Sequence, residues 1–268
     1  MRIHWKQLTV VLTGAYGGLG RALAGELDQL GARLILVGRD DEQLMAMQQM
    51  LHQPAQRIAG DVTSAETLSE VVALLATTGG QQRMLINNAA LSHAGFLSQQ
   101  AAVDLQQMMN VNLTAPMVWT QALMPWLEQA KQGYVINVGS SFGGIGYPGF
   151  SGYCASKFGL RGFTQALNRE LVGSTVQASY LAPRAMSTPI NSTAVDKLNE
   201  HLGNHVDAPR DIARQIIKAI SQQREEQFFG WPEKLYVKLN AVLPTVISKA
   251  IRKDQSTIQS LLNNEVKP

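Results

Sequence analysis

The sequence predicts an α/β fold in which a parallel sheet is doubly wound, with helices on both faces. Three observations carry that prediction. Short apolar runs alternate with longer stretches of helical period, and strand-helix alternation closes into a parallel sheet covered on both sides. A glycine-rich turn, Thr13-Gly14-Ala15-Tyr16-Gly17-Gly18-Leu19-Gly20, stands between the first run and the first helix. The 268 residues, 45% of them hydrophobic, suit one large domain with a single substantial core.

The elements follow in order. Residues 8–12 form the first strand and lead into the glycine turn. Residues 19–30 have helical spacing, with Leu19, Leu23, Leu27 and Leu30 on one stripe. Residues 33–37 make the second strand. Further short runs lie at 57–59, 84–86, 134–138, 177–181 and 227–229. Helical stretches fall at 41–51, 65–76, 102–114, 117–129, 153–172 and 208–222. Right-handed crossovers turn this order into a Rossmann-type three-layer α/β/α arrangement. No internal repeat, low-complexity linker or Pro/Gly break divides the chain.

Charge and cysteine content exclude several classes. Net charge is +3, and residues 231–268 supply it with six Lys/Arg against three Asp/Glu. A neutral body with a mildly basic tail lacks the dense basic stripe of a nucleic-acid binder. Only 16% of residues are charged, against roughly 25% in an average globular protein, so a second copy is expected to cover part of the surface. The single cysteine, Cys154, permits no intrachain disulfide, and with the scattered His4, His52, His93, His201 and His205 it builds no metal cluster. A reducing, cytoplasmic setting is expected. The apolar run near the N-terminus leads straight into the glycine turn, so it reads as a strand and not as a signal peptide. No stretch approaches the ~18 apolar residues of a membrane span.

The glycine turn has a chemical rationale. A pyrophosphate must approach the backbone closely at a helix N-terminus, where free N–H groups and the helix dipole favour anions, and glycine permits that approach. A tight turn without a ligand would use the same residues. The second strand then ends Val37-Gly38-Arg39-Asp40, where an acid would bind a ribose 2′-hydroxyl and an Arg would accommodate a 2′-phosphate. The expected cofactor is NADP, with NAD the alternative. The alternative reading of Arg39 is a solvated surface charge paired with Asp40 or Asp41.

Three segments point to the chemistry: Asn87-Asn88-Ala89-Ala90, Gly139-Ser140-Ser141, and Tyr153-Cys154-Ala155-Ser156-Lys157. Tyr153 and Lys157 are i and i+4, so a helix presents them on one face. A neighbouring ammonium favours phenolate and is expected to lower the Tyr pKa from about 10 toward neutrality, as a proton shuttle requires. Ser140 can hydrogen-bond a substrate oxygen near the Tyr hydroxyl. Together with Asp61 in Gly60-Asp61-Val62 and Asn112 in Val111-Asn112-Leu113, these pieces resemble the short-chain dehydrogenase/reductase family, in the same order, over about residues 8–230.

The resemblance implies roles. Tyr153 is the general acid/base, Lys157 lowers its pKa and bonds the nicotinamide ribose, Ser140 positions the carbonyl or hydroxyl, and Asn112 holds a water relayed to Lys157. Gly14, Tyr16, Gly17, Gly18, Leu19 and Gly20 cradle the pyrophosphate. Arg39 meets the 2′-phosphate, Asp61 and Val62 contact adenine, and Asn88 and Ala89 lie along the cofactor ribose. Pro183 borders the nicotinamide, and Thr188 bonds its carboxamide. The implied activity interconverts a carbonyl and a secondary alcohol. A dinucleotide-binding scaffold, an epimerase or a dehydratase would use the same fold. Residues 1–230 would form the dinucleotide-binding and catalytic domain, with 231–268 a helical tail packing on it.

Two positions depart from the family pattern. Ala90 replaces a glycine, a small change. Arg184 stands where glycine is usual after Pro183, and either meets an anionic substrate group or turns away to pair with an acid. Phe142, Ile145, Tyr147, Phe150, His93 and Phe96 are expected at the substrate cleft or in ordinary loop packing. Cys154 should pack inward, and Met45, Met47 and Met50 should pack a helix. The polar segment 187–206, with a helical piece at 194–202, sits where the family has a mobile lid. Leu105, Met108, Met109, Val111, Leu113, Phe158, Phe163 and Leu167 offer apolar surface for a homodimer or homotetramer.

The tail, residues 233–252, reads as one helix kinked at Pro244. Its apolar stripe is Leu235, Leu239, Val242, Leu243, Val246, Ile247, Ala250 and Ile251, with lysines mostly off it. It either docks on the body or a partner, or lies on a membrane surface, which would suit a lipid-like substrate.

Overall fold

A computed structural model describes residues 3–188 and 190–263. Seven strands form one sheet in the order β3-β2-β1-β4-β5-β6-β7, and every adjacent pair is parallel. The strands are β1 (Leu8–Thr13), β2 (Arg33–Gly38), β3 (Ala55–Ala59), β4 (Gln82–Asn87), β5 (Gln132–Val138), β6 (Val176–Ala182) and β7 (Glu226–Phe228). The order reverses between β1 and β4, so a crevice opens at their carboxyl ends.

The sequence dictates two buried faces. Every residue of β1 is buried, and successive side chains go to opposite layers. Val10 and Leu12 join Leu23 and Leu27 of α1 (Gly18–Gln29) and Ile212, Ile216 and Ile220 of α8 (Pro209–Ser221). Val11 instead joins Val71 and Leu75 of α3 (Ala65–Thr77) and Trp119, Leu123 and Leu127 of α5 (Ala115–Glu128). Each such fully buried aliphatic side chain contributes roughly 1.5–3 kcal/mol. Local chemistry sets the helix starts. Asp40 caps α2 (Asp41–Met50) by accepting from Gln43 N at 3.1 Å, and Ser64 caps α3 by accepting from Thr67 N at 3.2 Å. Within α2 only Met47 of its three methionines is buried; Met45 and Met50 face out.

Two expectations about helices need correction. The stretch 102–129 does not break between 114 and 117. The helix α4 (Ala102–Met109) passes through a π-helical turn, Asn110–Thr114, directly into α5. Pro116 lacks an N–H, but a proline is tolerated in a helix's first turn. In the π turn the Ala115 N–H reaches back five residues to Asn110 O, so the helix continues through the change of register.

The tail is three helices: α9 (Glu233–Val242), α10 (Pro244–Arg252) and α11 (Gln255–Asn263), the last unforeseen; residues 264–268 lie outside those described. Of the expected stripe only Ile247 is buried, while Val237 is the buried residue of α9. Leu243 leaves the helical conformation before Pro244, with φ −130° and ψ 61°, so α10 does not continue the phase of α9 and one stripe cannot face one way. The docking residues are Ile258 and Leu262 of α11, packed with Phe150, Cys154 and, from α7 (Thr193–His201), Ala194 and Leu198.

Candidate active site

The glycine turn is held from below. Gly14 sits at φ +62°, and a Cβ there would lie 2.8 Å from Ala89 Cα. A Cβ on Gly20 would lie 2.2 Å from Gly14 O, so this glycine lets α1 close onto the turn. Asn88 Nδ2 donates to Thr13 O and Gly14 O, both at 3.0 Å, and Thr13 Oγ1 accepts from Asn88 N at 3.0 Å and Ala89 N at 3.1 Å. Asn88 was expected to lie along a ribose; its amide is engaged in bracing the turn. Gly17 offers no side-chain cap to the first turn of α1, which leaves helix N–H groups for an anion.

These residues border a cleft of about 360 Å³ at the carboxyl ends of the strands. It is lined by Gly14, Tyr16, Gly17, Gly18, Leu19, Gly20, Arg39, Asp61, Val62, Asn88, Ala89, Tyr153, Lys157, Pro183 and Thr188, all singled out from sequence. Gly38, Gly60, Ala90, Leu91, Val111, Val138, Gly139, Met186 and Ile190 complete the lining. They adjoin the motif residues on strand ends and loops, where sequence gives small or apolar types no distinct signal.

At one end Arg39 is exposed, and among the described residues it forms no ion pair. The acids that might have held it are engaged elsewhere: Asp40 caps α2, and Asp41 pairs with Arg57 at 2.7 Å. Partial burial pushes the Asp61 carboxyl up, but hydrogen bonds from Thr63 and the Arg39 charge outweigh it and hold it below its ordinary value. At the other end Thr188 Oγ1 is buried and without a hydrogen-bond partner among the described residues. A buried hydroxyl left unsatisfied destabilises the fold by about 1–3 kcal/mol, which fits a polar ligand group arriving there. The bare helix N-terminus, the exposed Arg39 and this orphaned hydroxyl together fit a dinucleotide.

Tyr153 and Lys157 lie one turn apart on α6 (Ser151–Glu170). Lys157 is buried, donates from Nζ to Val138 O at 3.0 Å, and lies 5.7 Å from the centre of the Tyr153 ring. Burial pulls its pKa down to about 8. Tyr153 was expected to be acidified by this lysine. Instead burial pushes its phenol up to about 12, against the opposing effect of a hydrogen bond with Ser140. Ser140 Oγ also accepts from Phe142 N at 3.2 Å. The Asn112 side chain accepts from Leu91 N at 2.7 Å and donates to Leu91 O at 2.8 Å and Ser156 Oγ at 3.1 Å. That amide is occupied by protein, and Asn112 itself sits in the π turn.

Tyr180 is a residue the sequence reading missed. Its ring is fully buried in β6, and its hydroxyl donates to Ser140 O at 3.2 Å, reaches Lys157 O at 3.4 Å and accepts from Ser140 N at 3.3 Å. One side chain thus ties the backbones that carry the serine and the lysine. A Cβ on Gly143 would lie 1.9 Å from that hydroxyl, so glycine is required beside it. The available signal was a phenol inside a strand of small and apolar residues, Ala178-Ser179-Tyr180-Leu181.

The substrate side is aromatic. Phe142 stacks on Tyr147 at 5.3 Å and meets Phe150 at 5.1 Å and Tyr153 at 6.3 Å. Ala94 and Phe96 pack on the same cluster, and α7 and α11 close over it. Arg184 points away. It pairs with Asp207 at 2.8 Å and Glu233 at 3.1 Å and donates to Trp231 O at 3.0 Å. Cys154 is buried, His52 pairs with Asp28 and His205 with Asp207.

The family model for short chain dehydrogenases matches residues 8–199. The chain belongs to the short-chain dehydrogenase/reductase family. Its sequence is 31% identical over 228 residues to an uncharacterized oxidoreductase of Staphylococcus saprophyticus, covering 82% of this chain and 92% of that one. It is 27% identical over 212 residues to a 3-oxoacyl-[acyl-carrier-protein] reductase of Haemophilus influenzae, covering 79% and 88%. A Burkholderia phymatum family member in complex with NAD superposes with a TM-score of 0.81 at 22% identity, over 89% and 94% of the two chains. A metagenomic short-chain oxidoreductase in complex with NADP gives a TM-score of 0.67 at 28% identity, over 83% and 94%. The protein is thus a dehydrogenase/reductase of this family, and its three-layer sheet is the family's fold.

Proposed function

We propose that this short-chain dehydrogenase/reductase is an NADP-dependent enzyme that interconverts a carbonyl and a secondary alcohol. The observation that carries the reading is Tyr153, hydrogen-bonded to Ser140 and one turn from buried Lys157, in a cleft that continues to the glycine turn. Arg39, unpaired at the mouth, favours the 2′-phosphate form. The relative from Haemophilus influenzae acts on a keto group, and the metagenomic neighbour holds NADP. The bound cofactor would supply the hydride and, when oxidised, a positive charge.

The chain's own residues do the rest. Ser140 Oγ orients the substrate oxygen toward the Tyr153 hydroxyl, which gives its proton to a forming alkoxide or takes one from an alcohol. Lys157 holds a charge beside the phenol, and the Tyr180 hydroxyl fixes the backbone spacing of serine and lysine. Aromatic residues and α7 keep water from the reacting atoms.

The test is a panel of ketones and alcohols with NADPH and NADH, following loss or gain of reduced-cofactor absorbance. Tyr153→Phe should retain cofactor binding and lose turnover by at least about 10²–10⁴-fold. Arg39→Asp should reverse the preference between the two cofactors. Gly38→Asp would not test this cleanly, because a Cβ on Gly38 meets the Tyr16 ring at 2.6 Å. Cofactor binding without turnover on any substrate would indicate a sensor or scaffold instead.

A further inference from the structure

The outer face of α9 and α10 is apolar and basic together, on the side of the tail that does not pack on the body. Val242 is 76% exposed, Leu243 50% and Val246 54%, all at the corner where the two helices meet. Leu235 lies two turns back on the face of Val242, and Trp231, 63% exposed, stands at the base of α9. Lys238 falls between Leu235 and Val242 on that face, and Lys249 beside Val246. Lys234, Arg252 and Lys253 add three more exposed cations. Among the described residues none of the five has an ion-pair partner, while Lys234 lies over the Trp231 ring at 5.6 Å.

We propose that this face docks on an anionic lipid bilayer, with Val242, Leu243 and Val246 entering the headgroup boundary and the five cations meeting lipid phosphates. The charge decides between occupants. α10 carries no acidic residue, and the one acid of α9, Glu233, is held by Arg184. A second copy seated on this face would bring unpaired cations against their own copies. An anionic surface neutralises all of them while taking up the apolar corner, as interfacial amphipathic helices do. An exposed Trp beside a lysine suits the interface, where one side is apolar and the other wet. No helix among the described residues is long and apolar enough to cross a membrane, so the contact is peripheral.

The experiment is sedimentation of the full-length protein with vesicles of phosphatidylglycerol and phosphatidylcholine in equal parts, beside phosphatidylcholine alone. The protein should sediment with the anionic vesicles, be released by salt, and stay in solution with the neutral ones. Each cation near the surface is worth about fivefold in partition, so Lys238→Ser with Lys249→Ser should weaken it by about 25-fold. Leu243→Glu should abolish it. These side chains are exposed, and unchanged melting of the lysine variant keeps the comparison valid if Leu243→Glu fails to fold. No sedimentation with anionic vesicles, equal sedimentation with neutral ones, or an unweakened lysine variant would overturn the proposal. So would light scattering in which Leu243→Glu converts a larger species into a smaller one, since a second copy would then occupy the face.

Discussion

Replacing Lys157 by Met should stabilise the fold at neutral pH while disabling catalysis. The side chain is only 3% exposed, and its pKa falls from 10.5 to about 8 because burial disfavours the ammonium. At pH 7 the folded chain still carries that charge, and the displacement corresponds to about 3 kcal/mol of destabilisation. A methionine of similar length removes the charge. It also leaves the buried Val138 O without its 3.0 Å donor, a loss of about 1–3 kcal/mol. The net gain is at most about 2 kcal/mol, or up to about 4–8 °C in melting temperature for a chain of this size. The pH dependence fixes the cause. Between about 8 and 10.5 the unfolded chain holds the lysine proton and the folded chain does not, so this group's contribution to stability rises with pH there and its penalty is complete below about 8. Tyr153 acts in the opposite sense higher up: the unfolded phenol ionises near 10 and the folded one near about 12, so its contribution falls as pH rises between those values. Urea midpoints of both proteins at about pH 7 and about pH 9.5 isolate the lysine, since every other group is common to both. The advantage of Lys157→Met should shrink toward the higher pH. A variant that melts at or below the parent at pH 7, with the same pH slope, would refute the reasoning.

Two further outcomes follow from the packing. Arg184→Leu leaves Asp207 and Glu233 without their partner, a loss of about 3 kcal/mol or more, and melting should fall by about 6–12 °C; unchanged melting with weakened substrate binding would return Arg184 to the substrate. For assembly, Met108, Val111 and Leu167 prove buried within one chain, which leaves Val103, Met117, Val118 and Phe158 as the exposed apolar residues of α4, α5 and α6. Light scattering at micromolar concentration should show a homodimer or homotetramer that Phe158→Glu weakens, and a clean monomer for the parent would remove the idea.

The sheet and most helices were legible because their signals are local. β1 alternates between two layers, α1 carries its leucines at helical spacing, and a glycine turn joins them. The cleft was legible for another reason: loops at strand ends bring short motifs together, and a parallel topology fixes which ends meet. Long-range relations were not legible. Arg184 could be read as facing a substrate because its partners, Asp207 and Glu233, stand 23 and 49 residues away. The tail stripe was drawn as continuous because a count of 3.6 residues per turn takes no account of the phase lost at Pro244. α11 escaped because its two docking residues, Ile258 and Leu262, are too few to mark a period. The Tyr153 pKa was misjudged because sequence places a lysine nearby but says nothing of how far burial opposes it.

The local rules that this structure breaks gather at one place. Among the described residues, Lys157 is an ammonium without an acidic partner in a buried position, Thr188 keeps an unsatisfied buried hydroxyl, and α1 begins without a side-chain cap. Each feature destabilises the isolated chain, and all three face one cleft. The surroundings oppose collapse of that arrangement with unusual firmness. Tyr180 fixes Ser140 and Lys157 from beneath, Asn112 locks the Leu91 backbone through a π turn, and Asn88 braces the glycine turn. Strain of this kind persists where the neighbouring structure over-determines it and where a ligand relieves it. Under the proposed function, a dinucleotide would offer a phosphate for the bare helix end, a polar group for Thr188 and a sugar hydroxyl for Lys157. The unsatisfied groups are thus held in place by the residues that brace the cleft, Asn88 at its wall and Tyr180 and Asn112 behind it.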